Sequence, residues 1–206
     1  MKPVSVKRRH GRDGHDFGEM SHAIHDAELV IRARGGDRSA FEELVRRHAD
    51  RLHAVVVRLV DDDHDAQEVT QEAFLRAWRA MPKFKGDAQF FTWLYRIGVN
   101  EANRRLALGA RGPGQDSLHE IAHEPHDRRP GPARTTEQRD LARALEQAVR
   151  ALHPDHRTAL VLRDIEGLST TQAAEIMDLG EAAFKSRLHR ARMTVRDAVS
   201  GYLHVD

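Results

Sequence analysis

The amino-acid sequence predicts an all-α protein made of two small helical domains joined by a flexible linker. Charged residues make up 32% of the 206 residues and aromatic residues only 5%, which suits amphipathic helices with long solvated faces. Apolar residues recur at spacings of three and four, whereas the apolar-polar alternation of strands is missing. A segment rich in proline and glycine separates the two halves of the chain.

Changes of pattern divide the chain into four parts. Residues 1–21 are polar, rich in glycine and histidine, and without apolar periodicity, so we expect a disordered arm. Residues 22–108 form the first predicted domain, and residues 136–203 form the second, smaller one. Between them, residues 109–135 contain four proline and four glycine residues without a sustained apolar stripe, which predicts a linker.

Apolar stripes predict the helices of the first domain. One stripe runs over residues 41–59, and a second runs over residues 66–77. The sequence Met81-Pro82 interrupts the pattern, because proline cannot continue a helix. A third long helix is expected over about residues 87–106.

In the second domain, the last two predicted helices form a helix-turn-helix. Ser169-Thr170-Thr171-Gln172 has the arrangement of a capping box, which predicts that a helix begins there. Asp178-Leu179-Gly180 follows as a three-residue turn, and we expect its glycine to adopt the left-handed conformation. The next helix should begin near Glu181.

The final helix carries a basic outer face. Its apolar residues are expected to pack inward, so that the outer face holds Lys185, Ser186, His189 and Arg190. From Lys185 to Arg192 the sequence has four basic residues and no acidic one, which suits contacts to phosphates and base edges. A basic face that is merely solvated is the alternative. Helix-turn-helix motifs also occur in free-standing regulators, so the motif alone indicates a ligand and not a role.

An aromatic and basic segment lies before and within the third helix. Five of the eleven aromatic residues fall between Phe84 and Tyr95, in the sequence KFKGDAQFFTWLYR. Aromatic rings beside cations can stack on unpaired bases while the cations hold the backbone. Phe91 and Leu94 share the buried stripe and are expected in the core. Phe84 and the polar residues of the loop lie outside that stripe, and these polar residues are Lys85, Asp87 and Gln89.

Composition excludes several classes of protein. The absence of cysteine excludes a disulfide framework, a thiolate zinc site and a cysteine nucleophile. No run of about eighteen apolar residues is present, and no apolar segment follows the basic start of the chain, so a cytoplasmic protein without direct membrane contact is expected. The net charge of +1 gives no argument for nucleic-acid binding.

Neither a metal site nor a catalytic site is expected. The chain has fourteen histidines, and the helical spacings worth testing for metal are His22 with His25, and His119 with His123 and His126. They lie in flexible polar segments without an accompanying carboxylate geometry, so surface histidines are the expectation. We find no converging hydrolytic constellation, and no cofactor or enzymatic activity is predicted.

Four sequence blocks resemble a known family. DAQEVTQEAFLRAWRAM and FKGDAQFFTWLYRIGVNEANRRL, followed by LVLRDIEGLSTTQAAEIM and FKSRLHRAR, are similar to regions 2 and 4 of the extracytoplasmic-function sigma factors, within the sigma-70 family. The resemblance covers nearly everything from Asp26 to Val199 except the linker. It implies a protein that binds core RNA polymerase, recognises the −10 and −35 promoter elements and helps open the −10 duplex.

The resemblance also implies roles for individual residues. The residues expected to bind the β′ clamp helices of the polymerase are Asp65, Glu68, Gln71, Glu72, Phe74 and Arg76, in an acidic segment that suits a basic partner. Those expected at the −10 element are Lys83, Phe84, Lys85, Asp87, Gln89, Asn100, Asn103 and Arg104, with Arg105 beside them. Those expected at the −35 element are Lys185, Ser186, Arg187, His189, Arg190 and Arg192.

Two further partners are implied, and one departure limits the resemblance. The second domain should contact the β flap of the polymerase, and an anti-sigma factor, often membrane-anchored, should hold the protein inactive. A solvated acidic face on the docking helix and a solvated helix end at residues 103–105 are the alternatives for two of the surfaces. The sequence GEAAF differs from the Gly-Thr-Val pattern common in the family, so the preferred bases cannot be transferred.

Overall fold

The computed structural model of the chain describes residues 26–60, 62–109 and 136–200. Within these ranges every regular element is helical and no strand is present, as the sequence predicts. The predicted arm and the predicted linker, apart from Gly109, lie outside the described residues. No helix in the described ranges combines the length and the apolar character needed to cross a membrane.

The first domain is a bundle of helices that pack side by side. The helices are α1 (residues 26–34), α2 (Arg38–Leu59), α3 (Asp63–Ala80) and α4 (Phe90–Gly109), with a 3-10 turn at Met81–Lys83. Asp37 begins α2 by accepting a hydrogen bond from the Ala40 amide, 3.2 Å away. Asp62 caps α3 in the same way through the Asp65 amide, at 2.9 Å.

The core of the first domain lies where α2, α3 and α4 meet. Leu44, Leu52 and Leu94 are fully buried there, in the stripes that the periodicity predicts. Gly98 allows α4 to approach α2, because a Cβ atom at this position would lie 2.7 Å from Leu52 Cδ1. Helix α4 begins at Phe90, slightly later than expected, because the chain still turns at Gly86 with a φ of +82°.

The second domain packs its helices around a smaller core. The elements are α5 (Thr136–Arg150), α6 (Pro154–Leu160), a π-helical segment at Val161–Ile165, α7 (Thr170–Ile176) and α8 (Glu181–Val199). Helices α5 and α6 both pack against α8. The buried side chains include Leu160, Leu162, Ile176 and Phe184.

The turn of the helix-turn-helix differs in one detail from the prediction. The capping box is confirmed, since Ser169 Oγ accepts from the Gln172 amide at 3.1 Å and Gln172 Oε1 accepts from the Ser169 amide at 2.9 Å. The expected left-handed conformation of Gly180 is wrong: its φ is −69°, and it stands as the extended N-cap of α8. Asp178 adopts the left-handed conformation instead, with a φ of +55°. Aspartate tolerates that region better than most residues.

The two domains are in contact. Helix α4 packs against α7, and the end of α2 packs against α6 and the π-helical segment. The buried guanidinium of Arg157 donates from Nη1 to the carbonyl oxygen of Leu59 at 3.0 Å, which satisfies an acceptor at the end of α2. It also donates to the carbonyl of Arg150 within its own domain.

Candidate nucleic-acid and protein interfaces

Helix α8 has the two faces that the sequence predicts. Phe184, Leu188, Ala191 and Val195 are buried against the second domain. The opposite side is exposed, and it holds Lys185, Ser186, His189 and Arg190. This places cations, a hydroxyl and an imidazole on one accessible helix face of a width that a major groove admits.

Two further cations of α8 are held by carboxylates of other elements in the domain. Arg192 makes a bidentate pair with Asp164, with Nε and Nη2 at 2.8 and 2.6 Å from the two carboxylate oxygens. Arg187 lies 3.5 Å from Asp155. Within the described ranges, no carboxylate lies within salt-bridge distance of Arg190. The predicted −35 residues therefore divide into an open set and a set tied to α6 and the π-helical segment.

At the start of α8 the structure places a carboxylate that the sequence-based site did not include. Glu181 accepts a hydrogen bond from Thr171 Oγ1 at 2.6 Å and contacts Lys185 Nζ at 3.2 Å. The departure of GEAAF from the family pattern was the sequence signal for it.

The aromatic side chains of residues 84–93 form a cluster beside the loop of residues 83–89, which precedes α4. Phe84 is only 7% exposed, so the expectation that it lies outside the core is wrong. Its ring lies 4.6 Å from that of Trp93 and 6.4 Å from that of Phe90, measured between centroids. Trp93 is half-buried and presents the accessible part of the cluster. The period of a helix cannot reveal this contact, because Phe84 precedes α4.

The polar residues of the loop are accessible, as predicted. The exposed side chains are Lys83, Lys85, Asp87 and Gln89. In the part of the chain that the structure describes, neither lysine has a carboxylate within salt-bridge distance. The loop therefore offers open cations beside the aromatic cluster, which is the combination that binds single strands.

Further along α4, the predicted −10 residues differ in their surroundings. Asn100 is exposed, whereas Asn103 is half-buried and its Oδ1 has no hydrogen-bond partner among the described residues. Arg104 Nη2 lies 2.7 Å from Glu101, whose carboxylate is buried and also holds Arg76 Nη1 at 3.0 Å. Arg105 pairs with Asp65 and, at 3.2 Å, with Glu68.

Helix α3 presents a mixed face to solvent. Glu68 and Gln71 are exposed, and Glu72 pairs with Arg76 at 2.9 Å. Phe74 is only 8% exposed and belongs to the core, so it supports this face from beneath. Leu75, which the sequence-based site did not include, is 50% exposed beside these polar residues. Its only sequence signal is an apolar side chain outside the buried stripe.

Metal binding finds no support in the described ranges, where no group of three or more metal-binding side chains converges. The histidine pair and the triplet considered from the sequence lie outside these ranges.

Two protein-family models match the chain. "Sigma-70 region 2" matches residues 44–111, and "Sigma-70, region 4" matches residues 142–195. The first match covers α3, α4 and most of α2, and the second covers most of the second domain.

Curated relatives and a solved structure agree with these matches. The chain is 38% identical to the RNA polymerase sigma-H factor of Pseudomonas aeruginosa over 86% of this chain and 95% of that protein. It is 35% identical to the ECF RNA polymerase sigma-E factor of Escherichia coli K12, over 87% of this chain and 97% of that one. The structure of CnrH in complex with the cytosolic domain of CnrY superposes with a TM-score of 0.63 and 26% identity, over 86% of this chain and 98% of CnrH.

Proposed function

Since the chain belongs to the extracytoplasmic-function group of the sigma-70 family of RNA polymerase sigma factors, we propose that its two domains divide promoter recognition between them. The first domain binds core polymerase and the opened −10 element, and the second binds the −35 duplex. The relatives are sigma factors and not enzymes, and the match of the first domain to region 2 removes the alternative of a free-standing helix-turn-helix regulator. Because bacterial RNA polymerase acts in the cytoplasm, we assign the protein to that compartment.

The observation that carries the proposal is the open face of α8. Lys185, Ser186, His189 and Arg190 are exposed on the second helix of a helix-turn-helix, the helix that enters the major groove in this motif. Lysine and arginine donate to phosphates and to guanine, and serine bonds either donors or acceptors on base edges. Arg187 and Arg192 flank this face and reach phosphates by leaving or sharing Asp155 and Asp164.

At the −10 element, we assign the loop and the adjoining surface of α4 to the single strand. Lys83 and Lys85 hold the backbone, and the accessible part of Trp93 offers a surface on which a base stacks. Phe84 fixes the Trp93 ring from below. Asn100 is exposed further along α4, where its amide can bond a base edge. The remaining residues assigned to this surface are Asp87, Gln89, Asn103 and Arg104.

For the polymerase, we assign the solvent face of α3. Glu68, Gln71 and Glu72 provide carboxylates and an amide for the basic β′ clamp helices, and Leu75 provides an apolar contact in their midst. Asp65 and Arg76 shape this face through their pairs with Arg105 and Glu101. Attachment of the second domain to the β flap completes the proposed assembly.

The spacing of the two promoter elements requires the domains to separate. Positions −10 and −35 are 25 base pairs apart, which is about 85 Å at about 3.4 Å per base pair. In the structure α7 packs directly against α4, with Arg96 and Glu175 at 3.6 Å. The segment between α4 and α5 can span about 90 Å when fully extended, at about 3.4 Å per residue. Binding to polymerase therefore replaces the contact between the domains by contacts to DNA.

We also propose that a second protein controls the chain by binding both domains while they are in contact. The support is the similar architecture of CnrH, which is bound to the cytosolic domain of CnrY. An anti-sigma factor of this kind would compete with polymerase for the chain. Co-expression of the chain with its anti-sigma factor should give a complex of the two. Purified core polymerase should dissociate that complex only when the polymerase is in molar excess.

Transcription in a purified system tests the central proposal. Core polymerase should produce a discrete transcript from the DNA upstream of this protein's own gene when the protein is added, and none without it. A Gln71→Ala, Leu75→Ala double variant should lower the affinity for core polymerase while the far-ultraviolet circular dichroism stays unchanged. Leu145→Ala is the matched control, because Leu145 is 45% exposed on α5, away from α3. Addition of the protein without any new transcript, together with no binding to core polymerase, would contradict the proposal.

A further inference from the structure

Glu181, a carboxylate at the first position of α8, has no part in the function proposed above. It is one of two acidic residues in α8, and the other, Asp197, lies at the far end of the helix. The Glu181 side chain is 47% exposed. A negative charge here opposes the approach of DNA phosphates to a face that is otherwise basic. Such a residue needs a compensating contact.

The carboxylate is held in one orientation from two sides. Thr171 Oγ1, on the other helix of the motif, donates to Oε1 at 2.6 Å, and Lys185 Nζ lies 3.2 Å from Oε2. The hydrogen bond from Thr171, followed by that from Lys185, lowers the pKa of Glu181 below its ordinary value. The group is therefore an ionised acceptor at neutral pH, with much of its rotamer freedom already lost before DNA binds.

Its position is one from which this motif reads bases. In a helix-turn-helix the N-terminal residues of the second helix contact base edges in the major groove. Gly180, the N-cap of α8, has no side chain that would cover the carboxylate. The groove beside it, lined by Thr171, Gly180 and Arg96, opens to solvent. Separation of the domains moves Arg96 away and leaves this groove to DNA.

The chemistry of the pair selects one base. An ionised carboxylate only accepts hydrogen bonds, and the donors in the major groove are the amino groups of cytosine and adenine. Adenine also presents its N7 acceptor beside the amino group, which repels a carboxylate, whereas cytosine presents the amino group alone. The guanine paired with that cytosine offers O6 and N7 acceptors, which suit the ammonium of Lys185.

We infer that Glu181 is a specificity-determining residue of the −35 interaction, where it accepts a hydrogen bond from the amino group of a cytosine. Thr171 is its positioning residue. The inference rests on the proposed −35 role of α8 and extends it to a named base. The competing explanation is structural: an acidic residue in the first turn of a helix stabilises that helix through its dipole.

Selection from random DNA tests the inference. Core polymerase carrying the full chain is incubated with duplexes randomised over the −35 element, and the bound sequences are read. The wild-type protein should enrich cytosine at one position. Glu181→Gln should lose that enrichment and favour adenine there, because glutamine matches the donor and acceptor of adenine. The preference for cytosine over adenine at that position should fall by about tenfold or more.

Two further variants separate base reading from charge and from stability. Asp197→Asn makes the same change of charge at the other end of α8 and should leave the selected sequence unchanged. Thr171→Val should weaken the cytosine preference a few-fold without changing the preferred base, while Glu181 itself is intact. Thermal unfolding of each variant measures the contribution of the structural role separately.

Three outcomes would overturn the inference. One is a Glu181→Gln protein that still selects cytosine at every position where the wild type does. Another is an Asp197→Asn protein that shows the same altered selection. The third is a wild-type protein that selects a −35 sequence with no cytosine on either strand. A wild-type protein that initiates transcription but selects no −35 sequence at all contradicts the proposed role of α8 itself, which distinguishes the two failures.

Discussion

The two domains use their arginines in different ways. On α4 of the first domain, Arg104 and Arg105 are paired with carboxylates of Glu101 and Asp65, one from the same helix and one from α3. On α8 of the second domain, Arg187 and Arg192 are paired as well, with Asp155 and Asp164. Arg190 is exposed, and the described residues place no carboxylate within salt-bridge distance of it. Cations that look alike in the sequence therefore differ in function: most are held by carboxylates within the fold, whereas Arg190 remains available to DNA.

The cause of this difference lies in the neighbouring helix. Helix α4 packs along α3, which begins with acidic residues, so arginines on the facing side of α4 meet carboxylates. Among the described residues, the carboxylates of other elements that pair with α8 lie at its flanks, and they are Asp155 and Asp164. A count of basic residues is thus a poor guide to a DNA-binding surface unless the partner of each helix is known.

Among the variants, truncation of the buried phenylalanine on α3 or on α8 should cause the largest loss of stability. Phe74 on α3 and Phe184 on α8 are 8% and 0% exposed. Replacement of either by alanine should lower the free energy of unfolding by about 3–5 kcal/mol, through lost burial and a cavity. Chemical denaturation monitored by circular dichroism measures this. A Phe74→Ala protein with wild-type stability and no affinity for polymerase would show instead that Phe74 contacts the partner directly.

Charge reversal on α8 should give the next largest loss of free energy, here the free energy of DNA binding. It tests whether the exposed cations of α8 contact DNA. A Lys185→Glu, Arg190→Glu protein should lose at least about 30-fold in affinity for promoter duplex, because each lost base contact contributes about 1–3 kcal/mol. Promoter-specific initiation should disappear while binding to core polymerase stays intact.

The matched control is Arg139→Glu with Arg143→Glu, an equal reversal on the exposed face of α5. It should change promoter affinity only through general electrostatics, which added salt removes. Equal losses in the two double variants would show that α8 contributes charge and no specific contact.

Local signals in the sequence were sufficient for much of the second domain. The capping box at Ser169, the start of α8 at Glu181 and the inward residues of α8 all follow from cap chemistry and helical period. Each depends on residues within a few positions of one another. The prediction put the left-handed residue of the turn at Gly180, whereas the structure has it at Asp178, because either residue type tolerates that conformation.

Contacts between distant residues could not be predicted in the same way. Arg105 and Asp65 are 40 positions apart, and Arg157 and Leu59 are 98 positions apart. Which carboxylate or backbone carbonyl each cation meets depends on how helices pack, and the sequence pattern gives only the face on which each residue lies. The burial of Phe84 belongs to the same class, because a loop residue has no periodicity to reveal it.

Removal of the Arg105 side-chain charge should give the smallest change in stability. It tests whether the paired arginines of α4 stabilise the fold. Arg105→Gln removes the pairs with Asp65 and Glu68, whose side chains are 30% and 49% exposed, so water already screens them. The free energy of unfolding should therefore fall by only about 0.5–1 kcal/mol, and added salt should reduce the difference. Thermal unfolding at low and high salt measures both.

The matching substitution on α8 is Arg190→Gln, which is compared with Arg105→Gln. Arg190→Gln should leave thermal unfolding unchanged and lower the affinity for promoter duplex by about tenfold, since one contact of about 1–3 kcal/mol is lost. Arg105→Gln should do the reverse, with an altered unfolding temperature and unchanged −35 binding. If Arg105→Gln instead lowered the affinity for −10 DNA without changing stability, Asp65 would hold a DNA-binding cation in place, and the two domains would use their arginines alike.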